Sequence, residues 1–237
     1  MRGLFVTGTD TGVGKTRVGA ALAHLLRTRG VGVRPRKPVE SGCSMGPDGL
    51  LPRDAAVLYA AAGGVEPLDR ICPYRLLAPL SPERAAEVEG MTLGLGQLHA
   101  ACLSDIQDGD FLLVEGAGGF YSPVARGALN ADLAGGLALP MLLVAADRLG
   151  TLNHTLLTVE AIRMRGLALA GLVLNQPVPH PDLPMDNAAD LARWLQMPVL
   201  RIPHNAEPGG EAWKHEAALL APLVDTWFAE AIRPPWR

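Results

Sequence analysis

Residues 8–16 read Gly-Thr-Asp-Thr-Gly-Val-Gly-Lys-Thr, and this stretch indicates the fold class of the chain. An apolar run at residues 4–6 precedes it, and apolar side chains at helical spacing follow it over residues 18–26. A glycine-rich loop between a strand and a helix lets many backbone N–H groups approach a polyphosphate, and the helix adds its positive N-terminal end. We therefore interpret residues 8–16 as a phosphate-binding loop, in which Lys15 reaches the terminal phosphates and Thr16 gives its hydroxyl to Mg²⁺.

The spacing within this loop departs from the usual pattern. Five residues, rather than the usual four, separate the first glycine from the Gly-Lys pair. A glycine-rich turn without a ligand is the alternative interpretation, and the coincidence of strand, loop and helix disfavours it. The loop is therefore a variant, which narrows the choice of family.

Strand-like and helical stretches alternate along the rest of the chain. The strand-like runs are continuously apolar, as expected where helices cover both faces of a parallel sheet. They lie at residues 4–6, 31–36, 111–114, 141–145, 168–174 and 199–202. The helical patterns lie at residues 15–29, 54–62, 95–107, 152–165, 187–196 and 212–231. The sequence therefore predicts an α/β protein of the P-loop NTPase type, with a mostly parallel sheet and ligands at the carboxyl ends of its strands.

Two stretches rich in proline interrupt this alternation. Residues 41–90 contain six prolines and a weak strand signal, and residues 177–184 contain four more prolines. Long irregular segments inside compact domains are often binding loops. We expect the first stretch to be a binding loop and the second to be a surface loop.

Length and composition favour a single domain over residues 1–237 that binds small molecules. Hydrophobic residues make up 49% of the chain, but no apolar run has the roughly eighteen residues of a membrane span. The N-terminal stretch has no secretion signal, so we expect a cytoplasmic protein without membrane contacts. A net charge of −3 disfavours nucleic acid as a partner. The three cysteines and six histidines are too scattered for a metal or redox site.

Lysine is rare in this chain, which makes each lysine informative. Only Lys15, Lys37 and Lys214 occur, against eighteen arginines. Lys37 begins the stretch Lys-Pro-Val-Glu-Ser-Gly directly after the second predicted strand, so Lys37 and Ser41 should point toward the phosphate loop. A cation and a hydroxyl there suit a negatively charged reacting group. A solvent-exposed Lys-Pro turn is the alternative interpretation.

Two carboxylates are candidates for a magnesium site. Glu115 ends an apolar strand and is followed by Gly-Ala-Gly-Gly, as expected for an acid delivered to Mg²⁺ beside nucleotide phosphates. Asp54 is a plausible second ligand, because Mg²⁺ in proteins usually binds one or two carboxylates. An N-cap or first-turn acid is an equally good interpretation of Asp54.

Polar residues after the last two predicted strands are candidates for binding a base. Asn175 and Gln176 offer donors and acceptors at one strand end, although such amides also cap turns. Residues 203–211 follow the last strand at the same edge of the sheet, with the same two interpretations.

Taken together, these elements resemble the dethiobiotin synthetase family over most of the chain. The resemblance rests on the motifs at residues 8–16, 37–42, 115–119 and 149–154, together with Ser81-Pro82, Ala85-Ala86 and Asn175. Glu83 departs from the family, which often carries histidine after Ser-Pro, and we assign it no catalytic role.

The resemblance implies a role for each matching position. The positions implied to surround a reacting carbamate and phosphate are Thr11, Lys15, Lys37 and Ser41. The positions implied to lie near Mg²⁺ are Thr16, Asp54 and Glu115. Backbone contacts with phosphate or substrate are implied for Gly12, Val13, Gly14, Gly116, Ala117 and Gly118. The nucleotide base would be surrounded by Asn175, Gln176, Pro203, His204, Asn205 and Glu211. Gly150 and Asn153 resemble positions that reach a neighbour's substrate across a twofold axis, which implies a homodimer with the substrate near its interface.

The implied reaction uses ATP and Mg²⁺ to close a cyclic urea. CO₂ joins one amine of 7,8-diaminononanoate, the carbamate receives the γ-phosphoryl group of ATP, and the second amine displaces phosphate to give dethiobiotin. Concentrated positive charge suits this reaction, because a carbamate and a triphosphate repel each other.

Two other functions share the loop and the scaffold. A partitioning ATPase, which uses ATP as a dimerisation switch, typically has an extra lysine near the start of the loop, where this chain has Thr9 and Asp10. Residues 212–237 also show no basic amphipathic helix for a membrane surface. A small-molecule kinase or amidoligase on the same scaffold is a further alternative. The family resemblance is what distinguishes it from a dethiobiotin synthetase, because fold does not fix function.

Overall fold

The structure of the chain, a computed structural model, describes residues 2–179, 185–204 and 212–229. Its strands are β1 (Arg2–Gly8), β2 (Val33–Arg36), β3 (Val39–Glu40), β4 (Ser44–Gly46), β5 (Gly49–Leu51), β6 (Tyr74–Arg75), β7 (Phe111–Glu115), β8 (Pro123–Ala125), β9 (Ala128–Leu129), β10 (Met141–Ala146), β11 (Leu169–Asn175) and β12 (Leu200–Ile202). Its helices are α1 (Lys15–Thr28), α2 (Arg53–Ala61), α3 (Leu68–Ile71), α4 (Pro82–Val88), α5 (Leu95–Leu103), α6 (Asn130–Leu137), α7 (Thr151–Met164), α8 (Asn187–Leu195) and α9 (Trp213–Ala229).

Six strands form one parallel sheet in the order β12, β11, β10, β1, β7, β2. The chain passes from β1 to the edge strand β2, returns to β7, and then adds β10, β11 and β12 on the other side of β1. The strand order therefore reverses at β1, where open α/β sheets bind their ligands. All six predicted strand runs lie in this sheet, so the predicted fold class is confirmed.

Helices pack on both faces of the sheet and bury two clusters of apolar side chains. Neighbouring residues of β1 contribute to opposite faces, since Leu4 and Val6 belong to one cluster and Phe5 to the other. The Leu4 cluster includes apolar side chains of α1 and α9, and these two helices lie against each other. The Phe5 cluster includes side chains from α4, α5, α6, α7 and α8. Because both faces are covered, the strands are apolar throughout rather than alternating.

The predicted helices are all present, as α1, α2, α5, α7, α8 and α9. Helix α5 ends four residues earlier than predicted, at Leu103, because Ser104 is extended and Asp105 has a left-handed φ of +55°. Residues 180–184 of the second proline-rich stretch lie outside the described residues.

The expectation of one long binding loop over residues 41–90 is wrong in part. The stretch contains α2, α3 and α4, together with short strands of two small sheets. Three of its six prolines stand at helix starts, since Pro52 and Pro67 are N-cap residues and Pro82 is the first residue of α4. Proline suits these positions because no backbone N–H donor is needed there. These three prolines therefore mark the starts of helices rather than an irregular segment.

The three cysteines are buried free thiols. Burial raises the pKa of Cys102 to about 12 and the pKa of Cys72 even further, so both stay protonated near neutral pH. Among the described residues, no group of three or more His, Cys, Asp or Glu could hold a metal ion. No described helix has the length and apolar character needed to cross a membrane.

Candidate functional site

A cavity of about 380 Å³ lies at the carboxyl ends of β1 and β7, where the strand order reverses. It brings together most of the residues predicted to act on phosphate, carbamate or metal. Its lining comprises Thr11, Gly12, Gly14, Lys15, Thr16, Arg17, Lys37, Glu40, Ser41, Asp54, Glu115, Ala117 and Gly118. Two of these residues, Arg17 and Glu40, were not predicted.

The phosphate loop has the backbone shape that its glycines predict. Gly12 and Gly14 have φ values of +73° and +99°, in the left-handed region that glycine adopts without strain. Gly14 is the N-cap residue of α1 and supplies no side-chain cap to the first N–H groups of that helix. Those N–H groups and the helix dipole are suited to an anion at the mouth of the cavity.

Lys37 is the buried cation of the site. Its Nζ lies 2.5 Å from Glu115 Oε1 and 2.9 Å from Asp54 Oδ2, and its side chain is 4% exposed. Burial disfavours the charged amine, but the carboxylates of Glu115 and Asp54 outweigh burial and raise the pKa of Lys37 above its ordinary value. Lys37 is therefore charged at neutral pH, and the exposed Lys-Pro turn is ruled out.

Lys15 is held differently, although it lines the same cavity. Its Nζ donates a hydrogen bond to the Asp10 carbonyl oxygen at 3.0 Å, which points the amine along the phosphate loop. Burial lowers the pKa of Lys15 to about 8, with a further lowering from Lys37 that the charge of Glu115 opposes. A bound polyphosphate would add negative charge beside this amine and so stabilise its protonated form.

The two acidic candidates lie beside the Thr16 hydroxyl. Thr16 Oγ1 donates to Glu115 Oε1 at 2.8 Å, and Asp54 lies in the first turn of α2. Burial alone would raise the pKa of Asp54, but Lys37 outweighs it and holds that pKa below its ordinary value. Glu115 Oε2 is buried and has no hydrogen-bond partner within the described part of the chain. This donor set, two carboxylates and one hydroxyl, matches the oxygen ligands that Mg²⁺ prefers.

Glu40 positions Asp54 from a distance in sequence. Its two carboxylate oxygens accept hydrogen bonds from the backbone N–H groups of Asp54 and Ala55, each at 3.0 Å. Glu40 thereby caps α2, whose N-cap residue Pro52 offers no side-chain oxygen. Burial, followed by the nearby charge of Asp54, raises the pKa of Glu40. The signal available in the sequence was an acid between Lys37 and Ser41 in a segment predicted to face the phosphate loop.

Thr11 and Ser41 stand at the rim of the cavity. The Ser41 hydroxyl donates to the Leu80 carbonyl oxygen at 2.7 Å, and the Thr11 backbone N–H donates to Asp10 Oδ1 at 2.7 Å. The Thr11 side chain is exposed. Both hydroxyls are within the lining that a ligand would contact.

The glycine segment after β7 is shaped by Asn130. The Gly116 N–H donates to the Val6 carbonyl oxygen, so this group belongs to the sheet rather than to a ligand. Asn130 Oδ1 accepts from the Ala117 N–H at 3.2 Å, and its Nδ2 donates to the Gly119 carbonyl oxygen at 2.9 Å. The buried Asn130 thus holds residues 116–119 against the cavity, which the sequence did not reveal.

Of the residues predicted to bind a base, Gln176, Pro203 and His204 lie just beyond the ends of β11 and β12, outside the cavity lining. Gln176 Oε1 accepts from the His204 backbone N–H at 3.2 Å, which joins the ends of β11 and β12. Pro203 accepts a hydrogen bond from Arg17 Nη2 at 3.1 Å through its carbonyl oxygen. Asn205 and Glu211 lie outside the described residues.

Asn175 is buried, with 2% of the residue exposed, and both ends of its amide have partners. Nδ2 donates to the Val13 carbonyl oxygen at 3.0 Å, and Oδ1 accepts from Arg17 Nη1 at 3.0 Å. In this arrangement Asn175 braces the phosphate loop, and its contact with a base stays a prediction.

Gly150 and Asn153 lie away from the cavity, at the start of α7. Gly150 is the N-cap residue of α7, with a φ of +90°, and Asn153 is exposed. A second hollow of about 560 Å³ lies between the loop after β1 and the middle of α7. Among its lining residues are Asp10, Tyr121 and Leu157.

Comparisons with known proteins agree with the motifs. The family model described as AAA domain matches residues 2–211. The ATP-dependent dethiobiotin synthetase BioD of Anaeromyxobacter dehalogenans (strain 2CP-C) is 49% identical over 81% of this chain and 85% of that protein. The protein of the same name from Rhodopirellula baltica is 43% identical over 83% of this chain and 81% of that protein. A solved ParA family ATPase from Chlorobium tepidum TLS aligns over 98% of this chain and 99% of that chain, with 14% identity and a TM-score of 0.49, too low to bear on function. By its identity to these synthetases over most of both chains, the chain belongs to the ATP-dependent dethiobiotin synthetase family.

Proposed function

We propose that the chain catalyses the ATP-dependent carboxylation and ring closure of 7,8-diaminononanoate to dethiobiotin, ADP and phosphate. One observation carries the proposal. Two lysines, two carboxylates and a threonine hydroxyl line one cavity where the strand order of the sheet reverses, and they belong to Lys15, Lys37, Asp54, Glu115 and Thr16. Two cations and two carboxylates in one place suit a reaction that joins two anions.

The phosphate loop and Lys15 bind the triphosphate of ATP. Gly12 and Gly14 keep the backbone N–H groups clear of side chains, and α1 presents its uncapped N-terminus to the same space. Lys15 is well suited to this role because, within the described part of the chain, its amine donates to a carbonyl oxygen and to no carboxylate. An incoming phosphate can therefore approach this cation without displacing a carboxylate of the described residues.

Thr16, Asp54 and Glu115 would hold Mg²⁺. The buried, unpartnered Glu115 Oε2 fits that role, because an ionised oxygen without a hydrogen-bond partner is costly unless a cation accompanies it. Mg²⁺ bound there would neutralise charge on the transferring phosphoryl group.

Lys37 lines the cavity with its ammonium group between Asp54 and Glu115, and in this proposal it stabilises the carbamate and the transferring phosphoryl group. The first amine attacks CO₂ and loses a proton, and the carbamate oxygen attacks the γ-phosphorus as ADP leaves. The second amine then attacks the carbamoyl carbon, loses a proton and expels phosphate. The hydroxyls of Thr11 and Ser41 orient the substrate, and orientation contributes up to roughly 7–11 kcal/mol in favourable cases.

The chain acts as a homodimer in this proposal, with Gly150 and Asn153 of one subunit facing the substrate of the other. The exposed side chains of Leu149, just before α7, and Leu157, in the middle of α7, support this arrangement, because apolar groups at the surface favour a protein interface. Gln176, Pro203 and His204 border the adenine base. A single domain and a cytoplasmic location remain predictions from the sequence.

The test is product formation by the purified protein. Protein, Mg-ATP, bicarbonate and 7,8-diaminononanoate are mixed, and the cyclic urea is sought by mass spectrometry with ADP measured in parallel. We expect dethiobiotin and ADP in equal amounts, and neither product when the diamine is left out. ATP hydrolysis that needs no diamine, and is stimulated by DNA or lipid, would instead support a partitioning switch.

A further inference from the structure

We infer that Arg17 is a positioning residue that holds the phosphate loop in its binding shape through Asn175. Arg17 lies one residue after Thr16, where the loop gives way to helix α1. The inference rests on the proposed use of ATP, and it adds a residue to which no motif assigns a role. Four groups from four separate segments form the arrangement: Val13, Arg17, Asn175 and Glu216.

The Asn175 amide has only one orientation that satisfies its partners. The Val13 carbonyl oxygen can only accept a hydrogen bond, so the amide must turn Nδ2 toward it. The guanidinium of Arg17 can only donate, so the amide must turn Oδ1 toward Arg17. A terminal amide torsion is otherwise soft, and these two partners of opposite polarity fix it.

Arg17 is itself held by a buried carboxylate. Its Nε donates to Glu216 Oε1 at 2.8 Å, and Nη2 donates to the same oxygen. Glu216 lies in the first turn of α9 and is 2% exposed. Because the planar guanidinium has a fixed direction for each donor, the bonds to Glu216 also set the direction of Nη1 toward Asn175.

The arrangement acts at the most crowded point of the phosphate loop. A Cβ on Gly14 would lie 2.2 Å from Asn175 Nδ2, so the loop backbone already rests against this amide. If Arg17 is removed, Asn175 Oδ1 loses its donor in a buried setting and the amide can turn away from Val13. The loop then loses its brace beside Gly14, and the N–H groups that bind phosphate become less well ordered.

The arrangement therefore predicts a specific defect. Weakened bracing should reduce binding of any polyphosphate, with or without a base, while Lys37 and the carboxylates keep their geometry. A role of Arg17 in contacting the base would instead reduce binding of nucleotides only. The two roles separate in an experiment that compares ADP with inorganic tripolyphosphate.

The experiment measures binding of a fluorescent ADP analogue to the full-length protein, and its displacement by ADP and by tripolyphosphate. We expect Arg17→Met to weaken both ligands by about tenfold, with kcat at saturating ATP changed less than threefold. The matched control is Arg29→Met, which breaks the 2.6 Å ion pair between Arg29, the C-cap residue of α1, and Asp225 of α9. We expect that control to bind both ligands as the unaltered protein does.

Two further variants keep the inference falsifiable. Arg17→Met leaves Glu216 buried without its partner, so the double variant R17M/E216M removes both charges and should fold while showing the same defect. Asn175→Ala should weaken binding of both ligands by a similar factor. Adding R17M to Asn175→Ala should weaken binding no further, because both changes remove the same brace. Unchanged tripolyphosphate binding in a folded R17M/E216M protein, or additive losses for Arg17 and Asn175, would overturn the inference. The outcomes that would overturn the inference are binding measurements that need no dethiobiotin formation, so failure of the inference is distinguishable from failure of the proposed function.

Discussion

Replacing Lys15 by methionine should stabilise the fold at neutral pH while abolishing tight ATP binding. The ligand-free protein buries the Lys15 amine and lowers its pKa from 10.5 to about 8. At pH values between about 8 and 10.5, a lysine whose pKa is lowered by folding binds fewer protons in the folded state than in the unfolded state. Its burial therefore costs stability fully below pH 8, and the cost disappears as the pH rises toward 10.5.

The size of the effect follows from the shift. Lowering the pKa of Lys15 from 10.5 to about 8 reduces the free energy of unfolding by about 3 kcal/mol at pH 7. Methionine removes the penalty, but it also removes the hydrogen bond from Nζ to the Asp10 carbonyl oxygen, which contributes about 1 kcal/mol. We expect a net gain of about 2 kcal/mol at pH 7, or about 4–8 °C in Tm for a chain of this size. At pH 10 the penalty falls to about 1 kcal/mol, so the gain should vanish.

The assay is urea or thermal unfolding without nucleotide at pH 7 and pH 10, for the unaltered protein, Lys15→Met and Lys214→Met. Lys214 is exposed and lies outside the cavity, so its variant controls for the exchange of side chain. Added Mg-ATP should stabilise the unaltered protein and the Lys214 variant but leave Lys15→Met unchanged. A Lys15→Met protein less stable than the unaltered one at pH 7, or a gain that is equal at both pH values, would refute the reasoning.

Three other substitutions test the site. Lys37→Gln should lower kcat by about a hundredfold or more while nucleotide affinity changes little, and near-normal turnover in steady-state kinetics would remove Lys37 from the mechanism. Glu115→Ala should abolish the Mg²⁺-dependent activity, so a magnesium titration with unchanged activity and an unchanged midpoint would reject its role as a ligand. Gly14→Ala should weaken ADP binding at least tenfold, because its φ is +99° and its Cβ would displace Asn175. Gly30→Ala is the control, since Gly30 has a φ of +79° with nothing within 4 Å of its Cβ, and equal effects of the two would discount the clash.

The sequence predicts the sheet well because each strand is a local, continuously apolar run. The same holds for the phosphate loop after β1, for Lys37 directly after β2 and for Glu115 at the end of β7, which all fall at one edge of the sheet. The short helices α3, α4 and α6 were not predicted. The prolines that begin α3 and α4 resemble loop signals, and α6 contains Gly135 and Gly136, which weaken its helical pattern.

The supporting residues of the site could not be predicted from local patterns. Arg17 meets Glu216 across a sequence separation of 199 residues, and nothing in either local sequence indicates the pairing. Glu40 caps a helix that begins 13 positions after it, at Arg53, so no ordinary capping motif applies. Asn130 acts through three backbone groups of Ala117 and Gly119 on a neighbouring loop. Such roles depend on how distant segments meet, which the order of apolar and polar residues does not specify.

The pairing of α1 with α9 has a consequence for protein synthesis. The phosphate loop leaves the ribosome before α9 does, because the carboxylate that steadies Arg17 is added 199 residues after Arg17 itself. A nascent chain halted before α9 has already made the glycine loop and the sheet strands yet lacks Glu216. Such stalled chains should therefore bind added nucleotide weakly. Tight binding should begin only once α9 has left the ribosome and packed against α1.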